Sequence, residues 1–147
     1  MDTISEFMKR DHARLDRLFR DYRGFKRSDR RKAASRFSEF RGGLLRHIGW
    51  EEEVLFPLVQ RGAAPSAGPT AVMRLEHQQI KELLQDLEAR LGARDDGAEE
   101  PEARLVELLD SHNRKEEVVL YPWLDGLLSE AQRRDALVRI RGSAECL

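Results

Sequence analysis

Histidine and glutamate recur in this 147-residue chain at spacings that suit metal binding. The segments HIGWEEEVLFP (47–57) and HNRKEEVVLYP (112–122) nearly repeat each other, 65 residues apart. In each, a glutamate follows the histidine by four residues, which places both side chains on one face of a helix, about one turn apart. The other two histidines, His12 and His77, are also 65 residues apart, and each precedes the next histidine by 35. The spacing therefore predicts two equivalent half-sites.

Together, the half-sites supply six candidate ligands for a metal centre: His12, His47, Glu51, His77, His112 and Glu116. A buried imidazole or carboxylate is costly unless it is paired or bound to a metal. Four imidazoles and two carboxylates suit two first-row metal ions about 3.5–4 Å apart, with Glu51 and Glu116 bridging both ions and room for a solvent-derived bridge. Mixed nitrogen and oxygen ligation favours iron, followed by manganese and then zinc. The alternative is a duplicated polar core that only forms hydrogen bonds.

Helical periodicity indicates the elements that must position these residues. Long helices are predicted at about 3–23, 28–60, 69–91 and 101–125, with a short helix at about 129–141. Thr3 and Glu6 form a predicted capping box, Gly24 is expected to end the first helix, and Ser28 to cap the second. Short loops, such as those around 61–69 and 92–100, predict an all-α, antiparallel up-down-up-down four-helix bundle at about 3–125. The short fifth helix completes a single domain, 1–147.

The phase of each helix predicts which side chains face the core. The apolar stripe of the last long helix continues from His112 through Val119 and Trp123. Glu52 and Glu117 are predicted to face outward, because each lies about 140° around the helix from its histidine. Pro57 and Pro122 are expected to disturb the regular helix.

Two further acids, Asp11 and Glu76, precede the first histidine of their half. They are expected to be solvated, or to accept a hydrogen bond from an imidazole N–H.

Composition narrows the class of protein. No run of 18 apolar residues predicts a membrane helix, and the segment MDTISEFMKRDH does not resemble a secretory signal. Cys146 is the only cysteine, so no intrachain disulfide is possible. We therefore expect a cytoplasmic protein with no membrane partner. Basic residues early in the chain alternate with acids, which indicates surface ion pairs rather than a nucleic-acid-binding site.

From about residue 3 to 125, the pattern His…His-x-x-x-Glu…His…His-x-x-x-Glu resembles the hemerythrin-like family, also called the HHE cation-binding domain. The resemblance implies a four-helix bundle with a di-iron centre, four terminal histidine ligands, and Glu51 and Glu116 as bridges. Met73 stands where oxygen carriers of the family have a further histidine. Those carriers also have a bridging aspartate five residues after the last histidine, whereas Glu116 follows His112 by four. These differences favour redox chemistry, ligand handling or sensing over simple oxygen carriage.

The resemblance leads to three functional hypotheses. The first is a monomeric or weakly dimeric di-iron protein that binds or senses dioxygen, nitric oxide or peroxide. The second is an enzyme that consumes peroxide or nitric oxide, with Tyr22 and Tyr121 as residues that could lie near the site. The third is a regulatory module that responds to iron or redox state. We expect binding or sensing rather than turnover.

Overall fold

The computed structural model describes residues 2–60, 68–93 and 96–145, and within these ranges it contains helices and no strand. The α-helices are α1 Ile4–Phe25, α2 Arg30–Trp50, α3 Phe56–Val59, α4 Pro69–Gly92, α5 Glu99–Lys115, α6 Tyr121–Leu127 and α7 Glu130–Glu145. Two π-helical segments, Glu51–Leu55 and Glu116–Leu120, join α2 to α3 and α5 to α6, and a 3-10 turn, Asp96–Ala98, precedes α5. This architecture is a helical bundle. Most of the predicted loop at 61–69 and Cys146 lie outside the described residues.

The caps confirm part of the sequence prediction. At the start of α1, the Thr3 hydroxyl accepts a hydrogen bond from the Glu6 amide at 3.0 Å, and the Glu6 carboxylate accepts one from the Thr3 amide at 3.4 Å. The predicted end of this helix at Gly24 is wrong, since α1 continues to Phe25. The cap of α2 is Asp29 rather than Ser28, because the Asp29 carboxylate accepts from the Lys32 amide at 3.1 Å.

Both π-helical segments begin at the glutamate of a His-x-x-x-Glu pair. The Phe56 amide donates to the Glu51 carbonyl and the Tyr121 amide donates to the Glu116 carbonyl, each five residues earlier. A proline follows each of these donors directly and has no N–H to continue an α-helical ladder. The wider π turn lets the chain stay helical up to the proline. The disturbance predicted at the two prolines thus begins six residues before them.

The π turns also change the phase of the helix that follows. Val119 and Trp123, which were predicted to face the core, are 57% and 43% exposed. That prediction is wrong because it assumed an unbroken α-helical rotation through Glu116–Leu120. Leu120 and Tyr121 take the buried positions instead.

The apolar core consists of two clusters with the histidines between them. One cluster includes Leu15, Phe19 and Ile80, and the other includes Met8, Met73 and residues of α6 and α7. Along α1, His12 lies between Met8 and Leu15; along α4, His77 lies between Met73 and Ile80. The polar residues therefore form a buried layer across the bundle. Within the described part of the chain, none of the helices is both long and apolar enough to cross a membrane.

Candidate metal centre

All six candidate ligands predicted from sequence lie together in this buried layer, and none is more than 4% exposed. Each glutamate faces one histidine from each half of the chain. Glu116 Oε1 is 3.2 Å from His12 Nε2, and Glu116 Oε2 is 3.2 Å from His112 Nε2. Glu51 Oε1 is 3.2 Å from His77 Nε2 and 3.8 Å from His47 Nε2. The Nε2 atoms of all four histidines thus point toward the two carboxylates.

The outward nitrogen of every one of these rings contacts a second carboxylate. The Nδ1 contacts are His12 with Glu117 at 2.8 Å, His47 with Asp11 at 2.8 Å, His77 with Glu52 at 2.7 Å and His112 with Glu76 at 3.0 Å. These pairs repeat with the same 65-residue offset as the histidines. Because an ionised carboxylate can only accept, each Nδ1 carries a proton, which leaves Nε2 as the ring nitrogen that can bind a metal. This is the tautomer that a metal requires.

The outer carboxylates correct one prediction and confirm another. Glu52 and Glu117 do not face outward but contact His77 and His12 on neighbouring helices. A position beside the core stripe faces the adjacent helix, and the long glutamate side chain reaches across to it. Both residues also belong to a π turn, in which each residue advances less around the axis. Asp11 and Glu76 accept hydrogen bonds from imidazole N–H groups, which confirms one of the two roles predicted for them.

These contacts lead to a prediction for Glu117→Gln and Glu52→Gln. Each substitution removes a negative charge next to a histidine, His12 for Glu117 and His77 for Glu52. That charge makes the hydrogen-bonded imidazole a stronger electron-pair donor to a metal. We expect each variant to bind metal roughly 10-fold more weakly, within the range usual for partners of metal-binding histidines. Competition with a chromophoric chelator measures the affinity, and Glu53→Gln is the matched control because Glu53 is exposed. Affinities equal to that of the unaltered protein for both variants would contradict this role.

Tyr121 is a further polar residue at the centre, whereas Tyr22 is not. The Tyr121 hydroxyl donates to Glu51 Oε2 at 2.9 Å, and its oxygen lies 3.1 Å from Glu116 Oε1. It is also 3.3 Å from His47 Nε2 and 3.4 Å from His12 Nε2. Burial and the Glu51 carboxylate raise the pKa of Tyr121 well above its usual 10, so its hydroxyl is neutral in this arrangement.

The other buried tyrosine, Tyr22, belongs to a different polar cluster. Its hydroxyl donates a hydrogen bond to Glu102 at 2.8 Å. Tyr22 is ten residues after His12 on α1, which corresponds to about 15 Å along the helix axis.

The charges at the centre call for a cation. Burial alone would raise the pKa of Glu51, but in the metal-free protein the imidazoles of His47 and His77, when protonated, outweigh burial and lower this pKa to about 2. Glu51 is therefore ionised. Among the six candidate ligands, three buried atoms lack a hydrogen-bond partner in the described part of the chain: Glu51 Oε1, His77 Nε2 and Glu116 Oε2. Because such unsatisfied groups are costly inside a protein, a metal ion shared by these atoms fits the donor set.

The geometry divides the ligands into two groups that could each hold an ion. The first group is Glu51, His77, His112 and Glu116, and the second is His12, His47 and Glu116. Within each group, the ligand atoms lie within 4.8 Å of one another. Glu116 is common to both groups, whereas Glu51 belongs to the first. The two predicted bridging residues thus lie differently with respect to the two groups.

A buried site of imidazoles and carboxylates in a helical bundle defines a cation-binding helical domain. The chain belongs to the hemerythrin HHE cation binding domain family, whose family model matches residues 3–124. This match confirms the resemblance seen in the His-x-x-x-Glu repeat. A search of curated proteins and a search of solved structures each find no match.

Proposed function

We propose that this protein holds two iron ions between His12, His47, Glu51, His77, His112 and Glu116, and that the centre binds or senses dioxygen, nitric oxide or peroxide. The observation that carries the proposal is the inward orientation of four Nε2 atoms around two carboxylates, in which Glu51 Oε1 and Glu116 Oε2 have no hydrogen-bond partner among the described residues. Iron at such a site supplies electron transfer and coordination positions for a small ligand. Nitrogen and carboxylate donors favour iron over manganese and zinc.

The protein's own residues contribute orientation and exclusion of water. Each imidazole is fixed at Nδ1 by an outer carboxylate, so that little reorganisation is needed when Nε2 binds a metal. The apolar clusters on both sides of the layer keep bulk water away from the ligands. A buried, preorganised site of this kind suits a small uncharged ligand, because the loss of its hydration on entering the core costs little free energy.

Metal analysis tests the proposal directly. We expect about two ions per chain, mainly iron, after expression in iron-replete medium and extensive desalting. Elemental analysis against protein concentration gives the ratio. A protein that carries no transition metal, and binds none when ferrous iron is added without oxygen, would overturn the di-metal assignment.

A second experiment separates the three functional hypotheses. The reduced, iron-loaded protein is mixed with nitric oxide, oxygen or peroxide, and its visible spectrum is followed over time. Stable ligand-dependent spectra favour binding or sensing. Sustained consumption of peroxide or nitric oxide favours the enzyme hypothesis. The third hypothesis is tested separately by chelation of the metal, and loss of a partner protein after chelation favours the regulatory module.

The organisation of the molecule is part of the same proposal. We place the long helical segments in antiparallel up-down-up-down order, with 1–147 as one domain, and expect a monomer or weak homodimer. We also place the protein in the cytoplasm, with no nucleic-acid or membrane partner, on the basis of its single cysteine and interspersed charges. Light scattering during size-exclusion chromatography measures the oligomeric state.

A further inference from the structure

We propose that the Tyr121 oxygen is a ligand of the ion held by His12 and His47. This inference rests on the proposed function, because it concerns the second of the two metal positions. It assigns to this chain a ligand outside the His-x-x-x-Glu repeat, and it makes the two positions chemically different.

A comparison of the two ligand groups shows where a donor is needed. The first group has four side chains, including Glu51, whereas the second has three. Glu51 Oε1 lies close to His77, and Glu51 Oε2 accepts a hydrogen bond from Tyr121. Glu51 Oε1 is nearer to His77 of the first group, at 3.2 Å, than to His47 of the second, at 3.8 Å, and the second group does not include Glu51. The second group therefore has one oxygen donor fewer.

The Tyr121 oxygen lies where the second group lacks that donor. Its distances to the three members of the group are 3.1 Å to Glu116 Oε1, 3.3 Å to His47 Nε2 and 3.4 Å to His12 Nε2. These values are close to the 3.2 Å between ligand atoms of Glu51 and His77 in the first group. His12 Nε2 is also 3.2 Å from Glu116 Oε1, so these distances are of the size found between neighbouring ligand atoms of one first-row ion. The side chain is fully buried, which holds the oxygen in place.

The duplicated sequence makes this position informative. The six candidate ligands have partners of the same residue type 65 residues away, but the partner of Tyr121 is Phe56. The Phe56 ring stacks on His77, with centroids 5.6 Å apart and planes 8° apart, and offers no donor atom. The two rings thus occupy equivalent places, and one of them brings an oxygen to the centre. The ligand group that lies next to the Tyr121 phenol is the second group, which lacks a fourth His or Glu ligand.

Coordination has a defined proton balance. A metal–oxygen bond forms at Tyr121 while its O–H bond breaks, and the proton passes to solvent with the other protons released on metal binding. A bound cation favours the deprotonated form of a coordinating group, even one that burial holds neutral. The competing role for Tyr121 is a neutral hydroxyl that only donates to Glu51. A Tyr121 oxygen that binds iron gives a visible band and Raman modes that a Tyr121 hydroxyl hydrogen-bonded to Glu51 does not give, so the two roles can be distinguished.

The first test is spectroscopic. The ferric, iron-loaded protein is expected to show a tyrosinate-to-iron charge-transfer band in the visible and Raman ring modes enhanced by excitation in that band. Growth with ring-deuterated tyrosine should shift those modes. Tyr121→Phe, which copies the residue of the other half, should abolish the band. Tyr22→Phe is the matched control, since it removes a buried hydroxyl that contacts Glu102 instead, and it should keep the band.

The second test uses Zn²⁺, which has no visible band or redox chemistry of its own. Titration of metal-free protein should show that Tyr121→Phe weakens one of two Zn²⁺ sites by roughly 10–100-fold and leaves the other unchanged. An unaltered protein that binds two iron ions without tyrosinate modes would overturn the ligand assignment alone. Equal Zn²⁺ affinities in Tyr121→Phe and the unaltered protein would do the same. Failure to bind any metal would overturn the proposed function as well.

Discussion

Alanine in place of Glu116 is expected to remove both metals, whereas alanine in place of Glu51 removes chiefly one. Glu116 reaches His12 with one carboxylate oxygen and His112 with the other, both at 3.2 Å, and so belongs to both ligand groups. Glu51 Oε1 lies 3.2 Å from His77 Nε2, and Glu51 belongs to the first ligand group alone. Loss of Glu116 therefore deprives both ions of a ligand. Elemental analysis of the desalted variants gives the number of metals per chain.

A buried glutamate away from the centre provides the control for this prediction. Glu102 is 1% exposed and accepts hydrogen bonds from Tyr22 and Lys26, ten residues before His112 on the same helix. Glu102→Ala should destabilise the fold, because it leaves the Lys26 charge without its partner, but two metals should still bind. A Glu116→Ala variant that holds one metal as tightly as the unaltered protein would show that Glu116 serves one ion.

The amino-acid sequence was sufficient to predict that the six candidate ligands lie together in a buried layer. Helical spacing fixes the direction of His47 relative to Glu51, and the 65-residue offset relates each residue of one half to its equivalent in the other. Burial of a histidine on an apolar stripe is costly without a partner, so four such histidines point to a shared site. These arguments use local geometry, which a regular helix largely determines.

The outer carboxylates and Tyr121 depended on features that local spacing does not reveal. The start of a π-helical segment at Glu51 and at Glu116 changes the direction of the residues after it. The repeated prolines, each six residues after the glutamate, were the signal available in the sequence, since a proline interrupts the α-helical ladder. Contacts between helices, such as Glu117 with His12, also depend on the axial position of one helix against another. Periodicity within a single helix does not determine that position.

Removal of metal is expected to lower the melting temperature by about 15 °C. Glu51 Oε1, His77 Nε2 and Glu116 Oε2 have no hydrogen-bond partner among the residues that the structure describes, and each such buried group costs about 1–3 kcal/mol. Metal at 100 times its Kd adds about 2.7 kcal/mol to the free energy of unfolding. For a chain of this size, 1 kcal/mol corresponds to roughly 3 °C, so two bound ions account for a shift of this order.

Differential scanning calorimetry of chelated and metal-reloaded protein measures this shift, and the Glu116→Ala variant is its control. That variant keeps the apolar clusters but lacks the shared ligand, so its melting temperature should be nearly the same with chelator and with added metal. An equal shift in the variant would mean that the metal acts outside the centre. No shift in the unaltered protein would mean that the buried imidazoles and carboxylates stabilise one another without an ion, as in the hydrogen-bonded alternative to the metal centre.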